Sequence, residues 1–164
     1  MCAGQGRDLI GALQGHPRAA DVRARLVELD PRNSDWARAA APPGIEVVTG
    51  DASDTSAYLG AVPAEVVLAC GVFGNIPQDD IERTIHALPS LCAPGATVVW
   101  TRHRKPPDVT PRVRQWFAEA GFDEVAFEGH DEFVFGVGVH RLARLPDPFE
   151  PGVKMFEFAD YDAL

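Results

Sequence analysis

The sequence predicts an α/β fold: a mostly parallel sheet with helices on both faces and an antiparallel final strand. Three observations predict it. Short β-rich runs alternate with helical stretches at the spacing of crossover units. The run Glu65–Cys70 (EVVLAC) is apolar without two-residue alternation, as in a strand covered on both faces. The chain closes on two successive strand patterns, near Glu124–Phe127 and Glu132–Leu142, which suit an antiparallel pair.

The elements follow in order. Met1–Arg7 is a glycine-containing turn, and Asp8–Leu13 begins a helix with Leu9, Ile10 and Leu13 on one face. Ala19–Arg23 is a short helical piece. Arg25–Leu29 is a strand with Glu28 at its end. Asp30–Asn33 reads as a turn, Ser34–Ala41 as a helix and Ile45–Thr49 as a strand. A brief helix over Thr55–Leu59 precedes the Glu65–Cys70 strand. A helix is expected from Pro77 or Gln78 to Leu91, then a Pro94–Gly95 turn and the strand Ala96–Thr101. Arg102–Asp108 is a polar loop. Thr110 is expected to cap a helix with Pro111 in its first turn and Gly121 beyond its end. Gly136 and Gly138 suggest a bend or bulge in the last strand. Residues 1–145 are read as one domain and 146–164 as a tail.

Composition narrows the function classes. The chain has 164 residues, 46% hydrophobic and 24% charged, enough for one domain with a sizeable core. Net charge is −9, which does not favour nucleic acid or an anionic membrane as partner, since both reward clustered Lys and Arg. Cys2, Cys70 and Cys92 form no CxxC pair or zinc spacing, and the expectation is free thiols in a cytoplasmic protein. No apolar run is long enough to span a bilayer. His16, His86, His130 and His140 show no metal-ligand spacing, so no metal is expected.

Four segments are candidates for ligand contact. In CAGQGRD, residues 2–8, Gly4 and Gly6 permit a tight backbone turn. Its structural alternative is an ordinary glycine turn. Glu28 ends a strand about 20 residues further on, where a carboxylate can accept from ribose hydroxyls. Asp30 competes for that role, but Asp30–Pro31 reads as turn chemistry. Gly50–Asp51–Ala52 follows the next strand. Asp51 can accept from an adenine amino group, or serve only as an Asx-turn. Ala69–Asn75 opens from an apolar strand into a glycine-rich loop, where ligands of open α/β sheets sit. Cys70 is read as a strand residue, because no Cys/His/acid arrangement supports a nucleophile. His103, Arg104 and Lys105 form either a solvated turn or a contact for an anionic substrate.

These segments, in this order, resemble the class I S-adenosylmethionine-dependent methyltransferase family over roughly residues 1–142. Cys2 stands at the first glycine of the family's D/E-x-G-x-G-x-G motif, with Gly4 and Gly6 following. Pro94–Gly95 resembles the turn before the family's fifth strand. The resemblance implies a Rossmann-like fold and S-adenosylmethionine as cofactor. It places Ala3, Gly4, Gly6, Glu28, Leu29, Asp51, Ala52, Cys70 and Gly71 at that cofactor, Glu28 on the ribose and Asp51 on the adenine amino group. It implies methyl transfer to a small-molecule acceptor and identifies no catalytic residue. A nicotinamide-dependent oxidoreductase and a noncatalytic cofactor-binding or protein-interaction domain are the alternatives. No Tyr-x-x-x-Lys pair supports hydride transfer. The glycine turn also precedes any strand that could aim it. Met1 is therefore expected to be internal to the intact domain, with an apolar strand directly before Cys2. The aromatic tail is expected to pack on the domain or to join a homodimer, a packed tail being preferred over an aromatic box for a ligand.

Overall fold

A computed structural model describes residues 1–129 and 134–158. Helices α1 (Arg7–Leu13), α2 (Pro31–Ala40), α3 (Gln78–Ala87) and α4 (Thr110–Glu119) alternate with strands β1 (Ala24–Glu28), β2 (Ile45–Thr49), β3 (Ala64–Ala69) and β4 (Cys92–His103). Strands β5 (Phe122–Gly129) and β6 (Phe135–Leu142) end the order. Strands β1 and β2 pair in parallel, with Glu28 opposite Thr49. Strands β3 and β4 also pair in parallel, and β6 lies antiparallel between β4 and β5. This is the expected α/β architecture, with parallel pairs built by crossovers and an antiparallel strand added at the end.

The strands fall into two groups, β2–β1 and β3–β4–β6–β5. Between them lies Met1–Ala3. The Ala3 amide donates to Val27 O of β1 (2.9 Å), and the terminal amino group of Met1 donates to Leu68 O of β3 (2.9 Å). Among the described residues, this short span alone joins the facing edges of β1 and β3, at their carboxyl ends.

That arrangement corrects one expectation. The apolar run of β3 does not have both faces covered, for Val66 is 57% exposed while Val67 is buried. Other boundaries shift for local reasons. Helix α2 starts at Pro31, not Ser34, because the Asp30 side chain accepts from Arg32 N (2.9 Å) and Pro31 suits the first helical position. Asp108 accepts from both the amide and hydroxyl of Thr110, so Thr110 is the first helical residue and not the cap. The strand beginning near Ala96 is extended at both ends, from Cys92 through His103, and takes in the start of the polar loop. The Pro94–Gly95 turn persists within it as an irregularity, since pairing with β3 jumps from Cys92 to Thr97 while β3 advances from Ala64 to Val66, and Gly95 is left-handed (φ +72°). The register shift among the last strands falls in β5, between Glu124 and Ala126, and not at the glycines of β6. His130, Asp131, Glu132 and Phe133, which begin the predicted last strand, lie outside the described residues.

The core gathers the inner faces of α3, α4 and the four-stranded sheet around Phe73, Trp100, Phe117 and Phe122. His140 is part of it, 1% exposed and stacked on Phe117 at 4.2 Å between ring centroids. Trp100 Nε1 donates to His140 Nδ1 (3.1 Å), which puts the imidazole proton on Nε2, 3.7 Å from Glu124 Oε2. Burial lowers the imidazole pKa from 6.5 to about 4, with Glu124 opposing that shift and Arg114 adding to it. A histidine depressed in the folded state stabilises fully above its unfolded pKa. As pH falls from 6.5 towards 4, the unfolded chain takes up a proton that the folded chain does not. Stability is therefore expected to fall across that window, by up to roughly 3 kcal/mol from this group. Urea unfolding at stepped pH checks this. His140→Gln, whose amide oxygen can still accept from Trp100, should give a flatter profile. An equally steep profile in that variant would refute the assignment.

Candidate functional site

The carboxyl ends of β1, β2 and β3 meet around the glycine turn. Gly4 and Gly6 both have left-handed backbones, φ +53° and +71°. A Cβ on Gly6 would stand 2.7 Å from Leu26 Cδ1 and 2.9 Å from Ile10 Cδ1, so the turn closes tightly over the end of β1. Cys2 also has a positive φ, +49°. It adopts at the first motif position the conformation for which glycine is favoured, at a steric cost of about 1–2 kcal/mol.

Glu28 is the hub of this turn. Gly4 N donates to its Oε2 (2.7 Å) and Asp30 N to its Oε1 (2.9 Å). Each carboxylate oxygen has two lone-pair sites, so one on each remains for a ligand. Glu28 thus organises the loop, a role that sequence spacing does not indicate. Asp30, its competitor, is spent on the cap of α2 and on Arg32. Leu29, directly after β1, is 64% exposed, an apolar surface beside the turn.

Gly50 N donates to Glu28 O (2.9 Å), which brings the end of β2 against that of β1. Asp51 follows. Its Oδ1 accepts from Ser53 N (2.9 Å) and Ser53 Oγ (2.6 Å), and its Oδ2 from Lys154 Nζ (2.7 Å). Burial pushes its carboxyl up, but Lys154 and Ser53 outweigh that and hold it below the usual carboxylate range. Asp51 therefore makes the Asx-turn with Ser53. Ala52 is buried, with its carbonyl accepting from Tyr58 Oη (2.6 Å).

At the end of β3, Gly71 has φ +72° and its amide donates to Thr101 Oγ1 of β4 (2.9 Å). Asn75 Nδ2 donates to Gly71 O (2.7 Å) and closes the loop. Burial raises the thiol pKa of Cys70 and pushes that of Cys2 up to about 11. Both are protonated at neutral pH, which fits the reading of Cys70 as no nucleophile. Depressions at the turn are lined by Ala3, Gln5, Arg7 and Asp8, and by Cys2, Ala3, Gly6 and Cys70 with their neighbours.

His103 was legible only as part of a basic turn. It ends β4 beside Gly74, and its Nδ1 is buried with no hydrogen-bond partner among the described residues. Burial, followed by Arg102 and Lys105, lowers its pKa, so the imidazole is neutral at pH 7. Elsewhere, α3 and α4 bring ligand atoms of Glu82, His86 and Glu119 within 4.8 Å of one another. His86 therefore has carboxylate neighbours that its sequence context does not indicate. Exposed groups of this kind are common on protein surfaces, and the cluster alone defines no metal centre.

No protein-family model matches the sequence, and no curated protein does. Solved structures match its fold. An O-methyltransferase family protein from Burkholderia thailandensis superposes with a TM-score of 0.69 at 16% identity, over 87% of this chain and 49% of that one. Human N-acetylserotonin methyltransferase, in complex with S-adenosylmethionine, gives 0.64 at 13% identity, over 88% and 46%. A TehB-like S-adenosylmethionine-dependent methyltransferase from Corynebacterium glutamicum gives 0.61 at 18% identity, over 89% and 77%. The chain thus spans about half the length of the first two. The fold is the Rossmann-like α/β fold of S-adenosylmethionine-dependent methyltransferases. Identities at this level establish the fold and nothing finer.

Proposed function

We propose that this chain binds S-adenosylmethionine and belongs to an enzyme that transfers its methyl group to a small molecule. One observation carries the reading: Glu28, Asp51 and the left-handed glycine turn converge at the carboxyl ends of neighbouring parallel strands, the place where open α/β sheets take ligands. The residues present fit the cofactor. Glu28 keeps acceptor sites for a ribose diol, Asp51 keeps one for an amino group, and Gly4, whose missing Cβ would project into open space, lets a ligand come close to the backbone, while Gly6 lets the turn close over Leu26 and Ile10.

When bound, the cofactor supplies a methyl group made electrophilic by its sulfonium. The chain's own contribution is placement. Glu28 and Asp51 hold the two ends of the adenosine, and the Gly71–Asn75 loop borders the space beyond β3. Holding an acceptor in line with the methyl carbon supplies most of the catalysis that such a reaction needs. The three structures compared above are methyltransferases, which favours this reading over the nicotinamide-dependent and noncatalytic ones. The net charge of −9 favours a small acceptor over nucleic acid.

Titration calorimetry with S-adenosylmethionine and S-adenosylhomocysteine tests cofactor binding, with a micromolar to millimolar Kd expected. A folded full-length protein that binds neither at millimolar ligand would sink the reading. Transfer of labelled methyl to a small-molecule panel and to RNA then separates the acceptor classes. Methylation of RNA alone would overturn the small-molecule assignment.

Among the described residues, no helix is long and apolar enough to cross a membrane.

A further inference from the structure

The loop that carries Asp51 is tied to the far end of the chain. Met155 N donates to Ser53 O (2.8 Å), Thr55 N to Val153 O (3.0 Å), and Val153 N to Thr55 Oγ1 (2.9 Å). The Thr55 hydroxyl donates in turn to Glu150 O (2.7 Å). Met155 and Phe156 are fully buried, and the Arg83 side chain donates to Met155 O (3.1 Å). Residues on both sides of Lys154 are therefore held whatever Lys154 itself does. This anchoring presents Lys154 Nζ to Asp51 Oδ2 at 2.7 Å.

The ion pair completes a pattern. An ionised carboxylate offers about four lone-pair sites. In Asp51, Ser53 takes both sites of Oδ1 and Lys154 one site of Oδ2. A single acceptor site is left, and the carboxylate cannot rotate to aim it elsewhere without breaking one of these bonds. Such a site accepts a hydrogen bond from an amino group and repels a carbonyl oxygen. Lys154 also helps keep the carboxyl ionised.

We propose that Lys154 is a positioning residue of the cofactor site, acting through Asp51 so that a 6-amino purine is distinguished from a 6-oxo purine at the adenosine end. The proposal rests on the cofactor reading above. It makes the segment 150–157 a working part of that site, 103 residues along the chain from Asp51.

The test compares S-adenosylhomocysteine with its 6-oxo analogue, S-inosylhomocysteine, by calorimetry on the full-length protein. The wild type is expected to prefer the adenine compound. Lys154→Met should lower that preference about three- to fivefold, the scale of an exposed ion pair, and Lys154→Arg should restore it. The melting temperature should barely change, because the buried anchors Met155 and Phe156 remain. A tail that merely supports the fold would weaken both ligands equally and leave their ratio intact, and that result overturns the proposal. So does a ratio that rises, which would mean Lys154 competes with the ligand. A wild type that binds neither compound overturns the cofactor reading itself, a distinguishable failure.

Discussion

Glu28→Ala is expected to weaken S-adenosylhomocysteine binding by about one to two orders of magnitude. The carboxylate would lose its bonds to the ribose, and it also receives the amides of Gly4 and Asp30. Leaving a buried polar group without its partner costs about 1–3 kcal/mol. Two amides freed at the turn would loosen the backbone that approaches the ligand. Calorimetric Kd values set beside thermal melts measure both consequences. Asp51→Ala should weaken binding less, because its carboxylate is half exposed and Ser53 and Lys154 can turn to water. If both variants bound the cofactor as the wild type does, the site would lie elsewhere on the fold. A variant of Glu28 that lost its fold would shift the test to Glu28→Gln, which keeps one acceptor oxygen.

Gly138→Ala is expected to be strongly destabilising. Gly138 lies opposite Trp100 in β4 and opposite Phe127 in β5. A Cβ there would overlap the Trp100 indole, which is fully buried and donates to His140. The ring cannot move aside, because Phe73, Phe117 and Phe127 all stand about 6 Å from it, centroid to centroid. Overpacking of this kind costs about 3 kcal/mol, which in a domain of this size lowers Tm by roughly 6–12 °C. Thermal unfolding of the variant checks it. A change below 2 °C would mean that the Trp100 pocket is not packed as described.

These two positions differ in how far the sequence reveals them. Glu28 is legible because strand, acid and distance from a glycine turn are all local quantities. Gly138 is legible only as a glycine in a strand pattern, and a bulge was the natural inference. The bulge falls instead between Glu124 and Ala126, and the glycine makes room for an indole from a strand nearly 40 residues earlier. Asp51 stands between these cases. Its place after β2 is local, but its orientation depends on Lys154. Likewise, Val66 reads as a core residue from its apolar neighbours, yet it is exposed, because covering a sheet face depends on which elements pack over it and not on the run of residues along the strand.

The sequence by itself determined the order of helices and strands, the mostly parallel sheet with its antiparallel addition, and the residues at the carboxyl ends of the strands. Those follow from periodicity, caps and turns, which act over a few residues. Only the tertiary structure decided that Gly4 and Asp30 aim Glu28, that the tail delivers Lys154 to Asp51, and that His103 rests neutral beside Gly74. It also decided which apolar residues are covered. The physical reason is common to all of them. Hydrogen-bond partners, desolvation and close packing depend on which segments meet in space, and segments far apart in the chain leave no periodic trace of their meeting.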